Sequence, residues 1–345
     1  MPFERAVRNG AKRSKVFVHS TTRSIMTTST ARLQADPATR ELLAKIAAAG
    51  VPSMHTLTPE QARLGMLAGV VNDIDPPSIT RIENRVIPGP AGDLGIRCYY
   101  PRQTPTDNGL PTLLYFHGGG FVIGDLDSHD ILCRQLCELA DVLVVSVDYR
   151  LAPEHCYPAA AQDALCSVDW IKVHFQEIGA DPARIAVGGD SAGGTLAAVA
   201  AQHAREIGLN LKAQLLLYPV VDLVGDYPSY AEHENTYPLF KPVLAWFWSH
   251  YFGPNDSAQL RGQTWASPIQ AESFANLAPA FVLTAGMDPL RDEGAAYAAR
   301  LGEAGVETLY LCVMGTLHGF LRLGRVLPSA RDTLVATAHF LRQRI

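Results

Sequence analysis

The most informative stretch of this sequence for the fold is Gly188-Gly189-Asp190-Ser191-Ala192-Gly193-Gly194. This stretch follows the apolar run Ile185-Ala186-Val187 and opens an alanine-rich run from Thr195 to Arg205, a pattern that predicts a strand, a sharp turn and a helix in succession. A serine in such a turn can be held in a strained conformation with its Oγ projecting, if small residues lie two positions to either side of it. Glycines occupy both of those positions, so Ser191 is a candidate nucleophile.

A glycine-rich turn between a strand and a helix does not have to carry a nucleophile. It can be an ordinary tight connection, or it can cradle a phosphate at the N-terminus of the helix. Two further segments of the chain, one before the serine and one after it, favour the nucleophile interpretation.

The segment before the serine is His117-Gly118-Gly119-Gly120-Phe121, which follows the apolar run Leu113-Leu114-Tyr115-Phe116. Such a run is typical of a buried parallel strand. Consecutive glycines let a loop turn its backbone N–H groups towards a substrate, where they stabilise the negative charge that acyl transfer builds on a carbonyl oxygen. A tight turn is the alternative for these residues alone, but their position between a strand and the serine segment favours an oxyanion hole.

The region after the serine supplies a base and an acid, because a serine nucleophile needs a histidine, and the histidine needs a carboxylate that fixes its tautomer. His318 stands in the loop predicted after the last strand, whereas four other downstream histidines fall in predicted helices or in an insertion: His203, His233, His250 and His339. Asp288 directly follows a predicted strand, and we predict that it is the carboxylate. Asp292 is the alternative, but it falls inside the next helix, where acids are usually exposed and solvated.

The rest of the chain alternates between strands and helices after an N-terminal helical pair. Proline at the first helical position behind Asp36 or Thr58 predicts helices at 37–50 and 58–72, and two strands at 80–87 and 94–100 predict an edge hairpin. Further strands are predicted at 113–116, 142–148, 184–188, 213–220, 280–284 and 309–313, and further helices at 128–140, 159–175, 192–206, 290–304 and 329–343. This alternation predicts an α/β fold with a mostly parallel central sheet and helices on both faces.

Residues 225–262 interrupt this alternation and are rich in aromatic residues. Four large side chains recur there at helical spacing, with three more aromatic residues beside them: Phe240, Leu244, Phe247 and Tyr251, then Trp246, Trp248 and Phe252. Because both flanks of this helix are aromatic, we predict that it packs on the helices of 37–72 as a cap over Ser191. Phe121, Phe247 and Trp248 are then the candidate substrate-binding side chains. An ordinary core helix is the alternative.

Composition excludes several classes of protein. The 345 residues are 48% hydrophobic and 18% charged, enough for one large α/β domain. Residues 1–35 hold seven Lys and Arg and one acid, so 22 basic and 33 acidic residues remain in the body of the chain, which argues against a nucleic-acid partner. The six cysteines show no Cys-x-x-Cys spacing, which is typical of reduced thiols in a cytoplasmic protein. No apolar run is long enough to span a membrane, and no His-Glu-x-x-His pattern indicates a metal site.

We divide the chain into three parts. Residues 1–35 form a basic, Ser/Thr-rich extension that we expect to be disordered, although a transit peptide or an upstream start assignment would have the same composition. Residues 36–75 are N-terminal cap helices, and residues 76–345 are a catalytic domain with the cap insertion at about 225–262. Deleting residues 1–25 should leave stability and activity almost unchanged, because this segment has no apolar face to bury.

Five segments, taken together and in this order, resemble a bacterial member of the hormone-sensitive lipase family of α/β-hydrolase esterases. They are His117–Gly120, Asp148–Glu154, Gly189–Gly193, Asp288–Leu290 and His318–Phe320. The resemblance covers the chain from about residue 36 to its end and implies an α/β-hydrolase fold with a helical cap. It implies these site residues: Ser191 as nucleophile, Asp288 as acid, His318 as base, and the amides of Gly118, Gly119 and Ala192 as oxyanion hole. It also implies that Arg150 and Glu154 hold loops near the site and that two chains associate through the last strand. We expect no cofactor and no metal, since neither His-Glu-x-x-His nor paired Cys/His spacing occurs.

The expected activity is hydrolysis of a small-molecule carboxylic ester through an acyl-enzyme intermediate. A cap of bulky aromatic residues such as Trp246, Phe247 and Trp248 predicts a short closed pocket, and therefore a preference for acids of roughly four to eight carbons. Two alternatives remain: an amidase or peptidase, which would keep the same three residues, and a non-catalytic ligand receptor, against which the intact His318 argues. The last strand lacks protective Pro or Lys near Leu309–Val313, which also predicts a homodimer through that edge.

Overall fold

The computed structural model describes residues 34–70, 76–102 and 108–345. Apart from Gln34 and Ala35, the predicted basic extension lies outside the described residues, as does the segment removed by the proposed deletion of residues 1–25.

The N-terminal helical pair is present with the predicted start signals. Helix α1 spans Pro37–Ala49; the Asp36 carboxylate accepts a hydrogen bond of 2.7 Å from the N–H of Thr39 at its start, and Gly50 ends the helix at φ 60°. Helix α2 spans Pro59–Val70, and a 3₁₀ turn at Met54–Thr56 lies between the two helices. The Thr58 hydroxyl accepts from the Gln61 N–H at 3.2 Å, and the Gln61 side chain accepts from the Thr58 N–H at 3.1 Å, which is a capping box.

Within the described residues, eight strands form one sheet in the order β1-β2-β4-β3-β5-β6-β7-β8. Their bounds are β1 Arg81–Gly89, β2 Gly92–Tyr100, β3 Leu110–Phe116, β4 Leu143–Asp148, β5 Ala180–Asp190, β6 Ala213–Leu217, β7 Ala280–Met287 and β8 Thr308–Leu317. Strand β2 runs antiparallel to both of its neighbours, and every other adjacent pair is parallel. The predicted edge hairpin and mostly parallel sheet are confirmed.

Helices cover both faces of the sheet, as the alternation predicts. The remaining helices are α3 Asp130–Ala140, α4 Ala159–His174, α5 Ala192–Glu206, α6 Pro228–Glu232, α7 Lys241–Phe252, α8 Ala258–Arg261, α9 Arg291–Glu303 and α10 Pro328–Arg342. Alternate residues of β3 enter two separate apolar cores: Leu114 and Phe116 pack with α4, α5 and α9, whereas Leu113 and Tyr115 pack with α3 and α10. Because β3 is buried along its whole length, it needs the continuous apolar run seen in the sequence.

Strand ends differ from the predictions where the backbone leaves the extended region. The prediction carried the sixth strand to residue 220, but β6 ends at Leu217 because Tyr218 has φ 38°, which is incompatible with a strand. Strand β8 runs on to Leu317, four residues beyond its predicted end, so His318 follows the strand directly. No helix in the described part of the chain combines the length and the apolar character that crossing a bilayer would require.

The sheet topology brings the functional candidates to one place. Strands β3, β5, β7 and β8 are mutually parallel, so their carboxyl ends lie at the same edge of the sheet. His117, Ser191, Asp288 and His318 are the residues that directly follow these four strands. Ligands of open parallel sheets bind at this edge, which makes it the place for a candidate site.

Candidate active site

Ser191 lies in the sharp turn between β5 and α5. Its backbone has φ 56° and ψ −121°, a conformation that non-glycine residues rarely adopt. A Cβ atom on Gly189 would lie 2.2 Å from the carbonyl oxygen of Gly193, and one on Gly193 would lie 2.0 Å from the carbonyl oxygen of Phe116. Both glycines are therefore required for the turn to form, which is the steric reason inferred from the sequence.

Ser191, His318 and Asp288 are joined by two short hydrogen bonds. His318 Nε2 lies 2.8 Å from Ser191 Oγ, and His318 Nδ1 lies 2.6 Å from Asp288 Oδ2. Because the fully buried carboxylate of Asp288 accepts a hydrogen, Nδ1 carries it, which leaves Nε2 free to accept the hydrogen of the serine hydroxyl. The other oxygen of Asp288 accepts from the Leu290 N–H at 2.9 Å, which fixes the carboxylate.

Asp292, the alternative acid, has a different set of contacts. Its Oδ2 accepts from the backbone N–H of Ser229 at 3.0 Å, and its Oδ1 lies 2.7 Å from Nε of Arg291. The expectation that Asp292 is a solvated surface acid is therefore wrong: it anchors α6 to the start of α9. The other downstream histidines also have partners elsewhere, with His203 paired to Asp169, His339 bonded to Gln343, His250 packed on Trp246 and His233 next to Arg291.

The structure corrects one residue of the predicted oxyanion hole. The Gly118 N–H donates to Oδ1 of Asp190 at 2.9 Å, so it points away from a substrate at Ser191. The amides of Gly119, Gly120 and Ala192 have no acceptor in the described part of the chain. Gly120, which the sequence did not single out, is therefore a candidate for the place predicted for Gly118.

Asp190 accounts for the inward turn of the first glycine amide. It is buried directly before the serine and accepts hydrogen bonds from the Tyr115 hydroxyl at 2.7 Å, from the Gly118 N–H and, at 3.4 Å, from His129 Nε2. Burial alone would raise the pKa of Asp190, but the charge and hydrogen bonds of its neighbours, His129 first, hold it well below its ordinary value. An ionised Asp190 thus ties the glycine loop to the serine turn. The sequence pointed to Asp190 only as a member of the stretch Gly189–Gly193, and nothing in the sequence indicated a role for His129.

His117 completes the support of the glycine loop. Its ring stacks on Tyr149 with centroids 4.2 Å apart, and its Nδ1 lies 2.8 Å from the carbonyl oxygen of Gly118. Burial lowers the pKa of His117 to about 4, so its ring is neutral at physiological pH and Nδ1–H donates to the carbonyl.

A cavity of about 110 Å³, which we call the serine cavity, opens above Ser191. The three predicted substrate-binding residues all line it: Phe121, Phe247 and Trp248. The Phe121 ring stacks on Tyr251 with centroids 3.9 Å apart, and a Cβ on Gly120 would lie 2.2 Å from the Phe247 ring. The cap helix α7 therefore rests directly on the glycine loop.

Trp246, predicted as one of the aromatic residues of the cap, does not line the serine cavity. Its indole Nε1–H donates to the carbonyl oxygen of Leu57 at 3.2 Å, so it faces the N-terminal segment instead of the serine cavity. Phe240 meets His55 edge to face in the same region, with ring centroids 5.6 Å apart. These contacts join α7 to the chain between α1 and α2.

Arg150 and Glu154 lie in the loop after β4 and are engaged in ion pairs. Arg150 binds both carboxylate oxygens of Asp163, and Glu154 binds Arg63 of α2 at 2.7 Å. The Arg63 guanidinium also donates to the carbonyl oxygen of Val122, so this pair links α2 to the loop that carries the glycines.

Comparison with known proteins agrees with this architecture. A sequence model described as the α/β-hydrolase fold matches residues 113–322. Esterase LipI of Mycobacterium tuberculosis is 45% identical over 253 residues, covering 73% of this chain and 78% of that protein. Ethyl acetate hydrolase of Pseudomonas putida is 35% identical over 305 residues, covering 85% of this chain and 92% of that protein.

Solved structures are similarly close. An ester hydrolase from the metagenome of Lake Arreo, complexed with a derivative of bipyridine phosphonate, has a TM-score of 0.85 and 41% identity, covering 90% of this chain and 99% of that one. A hyperthermophilic esterase from the archaeon Pyrobaculum calidifontis has a TM-score of 0.83 and 37% identity over the same shares of the two chains.

Proposed function

Because the chain belongs to the α/β-hydrolase fold family, among its hormone-sensitive lipase-like esterases, we propose that it hydrolyses short to medium acyl esters through Ser191, His318 and Asp288. Carboxylic ester hydrolysis is the activity that the named relatives have in common, and the chain is a carboxylesterase. The observation that carries the assignment of the three residues is the pair of hydrogen bonds that joins them.

In the proposed first step, Ser191 Oγ attacks the ester carbonyl carbon while its proton moves to Nε2 of His318. Asp288 stabilises the resulting imidazolium and holds the ring in place. The negative charge that develops on the carbonyl oxygen is met by the N–H groups of Gly119, Gly120 and Ala192, which have no other acceptor among the described residues. The imidazolium then gives its proton to the departing alcohol oxygen, and an acyl-serine remains.

In the second step, water attacks the acyl-serine and gives a proton to His318 Nε2. The tetrahedral intermediate collapses, the carboxylic acid leaves and the proton returns to Ser191 Oγ. The same amides stabilise the oxyanion in both steps, so one set of donors serves acylation and deacylation.

The serine cavity supports a preference for short to medium acyl chains. Its volume is about 110 Å³, and the cap residues Leu244, Phe247 and Trp248 form part of its wall. Each methylene that enters such a cavity gains about 0.8 kcal/mol, until the wall is reached. We expect the best rates on acids of roughly four to eight carbons.

We also propose a reducing, cytoplasmic compartment and a small-molecule ester as the only partner that the chemistry requires. All six cysteines are free thiols, and Cys98, Cys133 and Cys137 are buried in the core.

A matched pair of substrates tests the proposed function. We expect 4-nitrophenyl butyrate to be hydrolysed with a kcat/KM at least roughly 100-fold above that of 4-nitrobutyranilide, because the amine is a poor leaving group that needs stronger protonation. An organophosphonate ester should label the wild type once, at Ser191, and should not label Ser191→Ala, as peptide mass spectrometry would show. Faster cleavage of the anilide would indicate an amidase, and absence of both hydrolysis and labelling would indicate a receptor.

A further inference from the structure

A second cavity lies beside the serine cavity, on the side of His318. It measures about 410 Å³, within the usual range of ligand pockets, and it lies between α1, α2, α3 and the 3₁₀ turn at Phe320–Leu323. We call it the histidine cavity, because His318 lines it whereas Ser191 and the glycine loop do not. Seven residues line both cavities: Met54, Met66, Ile123, Pro238, His318, Gly319 and Arg322.

Each cavity is placed to accommodate one half of an ester substrate. This inference rests on the proposed function. The acyl carbonyl must reach Ser191 and the glycine amides, which line the serine cavity alone. The alcohol oxygen must reach His318, which protonates it as it leaves. The histidine cavity is therefore the space into which the alcohol half of the ester extends.

One charged side chain stands out in the histidine cavity. Apolar side chains such as Leu42, Ile46 and Leu132 form most of its wall, and among the lining residues that the structure describes only Arg322 carries a permanent charge. Arg322 is half-buried, and its Nε is fully buried with no hydrogen-bond partner among residues 34–70, 76–102 and 108–345. Its guanidinium forms no ion pair and no hydrogen bond with any residue that the structure describes.

An unpaired guanidinium at the edge of an apolar cavity is costly, because its N–H groups lose water without gaining an acceptor. One possible role within the protein is that of a counter-charge for Asp190, whose pKa Arg322 helps to lower. Asp190, however, already accepts hydrogen bonds from Tyr115, the Gly118 amide and His129, and none comes from Arg322. The donors of Arg322 are thus available to a ligand.

We propose that Arg322 binds a carboxylate on the alcohol half of the ester, seated in the histidine cavity. The guanidinium is a planar fork of donors that matches the two oxygens of a carboxylate, and the low dielectric of an apolar cavity strengthens the pair. The substrate class is an ester of a small acid with a hydroxy acid or a carboxyphenol, and the apolar wall contacts the carbon skeleton of that alcohol. Arg322 is then a specificity-determining residue that takes no part in the bond-breaking steps.

Two esters with the same acyl half test this proposal: 3-carboxyphenyl butyrate, and its neutral counterpart 3-carbamoylphenyl butyrate. We expect the wild type to favour the carboxylate in kcat/KM by roughly tenfold or more, and Arg322→Met to lower this preference by roughly 10- to 100-fold. Arg322→Lys should restore part of the preference. Arg325→Met is the matched control, since it removes the same charge from an exposed position that lines neither cavity, and it should keep the wild-type ratio.

Each other outcome overturns the proposal. If Arg322→Met slows both esters equally, Arg322 acts on Asp190 or on the fold and not on the substrate. If the variant instead loses selectivity for monophenyl glutarate, whose carboxylate is on the acyl half, Arg322 serves the serine cavity.

A binding measurement separates failure of this inference from failure of the proposed function. Titration calorimetry with 3-hydroxybenzoate, the alcohol product of the charged ester, needs no turnover. Binding to the wild type and to Arg325→Met, but not to Arg322→Met, would support the anion site even if no ester were cleaved. Equal binding to all three proteins, or binding to none of them, would contradict the proposed anion site.

Discussion

Among the single residues, Ser191 has a strained backbone that is held by contacts on both sides of the turn. Its N–H donates to the carbonyl oxygen of Leu217 at 2.8 Å, and its own carbonyl oxygen accepts from Gly194 at 2.9 Å and from Val220 at 3.3 Å. Such a conformation costs about 1–3 kcal/mol and persists only where the surroundings determine it. Because these bonds involve the backbone alone, substitution of the side chain leaves the turn in place.

Replacing each acid separately tests which one supports His318. We expect Asp288→Asn to lower kcat by about 10⁴, because the amide holds the ring in the wrong tautomer, and Ser191→Ala to lower it by about 10⁴–10⁶. Asp292→Asn should keep most of the activity and lose a few degrees of melting temperature, since Asp292 holds α6. Steady-state kinetics and thermal melts measure both effects. Retained activity in Asp288→Asn with loss in Asp292→Asn would reverse the assignment.

Glu293 is a second residue whose environment changes its chemistry. Its carboxyl is completely buried and accepts from the Val221 N–H at 2.7 Å, and it also contacts the Tyr230 hydroxyl. Burial raises the pKa of Glu293 to about 8, and the nearby Asp222 adds to the rise. The folded protein therefore holds the protonated form more strongly than the unfolded chain does.

This pKa shift predicts a pH-dependent stability. The pKa of Glu293 in the folded state lies above its unfolded value near 4.5. Its stabilising contribution to the free energy of unfolding is therefore complete below pH 4.5 and is lost as pH rises through about 8. We expect Glu293→Gln to flatten the fall in unfolding free energy between pH 6 and 9, because glutamine cannot ionise. Chemical denaturation at a series of pH values measures the slope. Glu303→Gln, an exposed acid on the same helix, is the control; an identical slope in wild type and Glu293→Gln would contradict the raised pKa.

Among the elements, helix α7 is held from two directions. Its inner face, including Val243, Leu244 and Phe247, is buried over the serine cavity. Trp246 reaches the other way, to Leu57 in the N-terminal segment. A helix fixed on both sides forms a rigid cavity wall, so we expect its inward side chains to set the length of acyl chain that fits.

Shortening an inward side chain of α7 should therefore change acyl specificity. We expect Phe247→Ala or Trp248→Ala to move the optimum by two or more carbons towards longer acids, each added methylene gaining about 0.8 kcal/mol where the wall has receded. A profile of kcat/KM over 4-nitrophenyl esters of increasing length measures this shift. Ser249→Ala, on the exposed face of the same helix, should keep the wild-type profile. Strong wild-type hydrolysis of emulsified long-chain triglyceride would contradict a closed cavity.

In the molecule as a whole, strand β8 is one of the two edges of the described sheet, and β1 is the other. It pairs with β7 on one side and has no strand on its other side among the described residues. Leu309 is 51% exposed and Met314 is 55% exposed along this edge. Unpaired backbone groups beside exposed apolar side chains favour pairing with a second strand, so we propose a homodimer through β8.

Sedimentation velocity tests the dimer. At micromolar concentration the wild type should sediment as a dimer, and Leu309→Lys should sediment as a monomer, because a buried lysine opposite its symmetry mate would repel it. Val173→Lys replaces an exposed apolar residue on α4, away from this edge, and should remain dimeric. A wild type that stays monomeric at these concentrations would rule out the interface.

The strands, the helices and the serine turn could be predicted from the sequence, because they depend on contacts between near neighbours in the chain. The run of apolar residues before His117 and the capping pattern at Asp36 and Thr58 are local signals, and the corresponding strand and helices are present. The glycines around Ser191 are needed by the turn they belong to, so their spacing predicted its geometry. The order of the candidate nucleophile, acid and base along the chain was also readable, since each directly follows a strand.

Which groups face the substrate depends on tertiary contacts and could not be predicted in this way. Gly118 and Gly120 are equivalent in the sequence, but the buried Asp190, which precedes Ser191 on a different strand, takes the Gly118 amide and leaves the amide of Gly120 available. Arg322 became a candidate ligand for an anion only when the fold placed it at the junction of two cavities without an acidic partner among the described residues. Whether a polar group finds a partner depends on how distant segments of the chain meet at the edge of the sheet. A local sequence pattern cannot predict the directions in which these groups point.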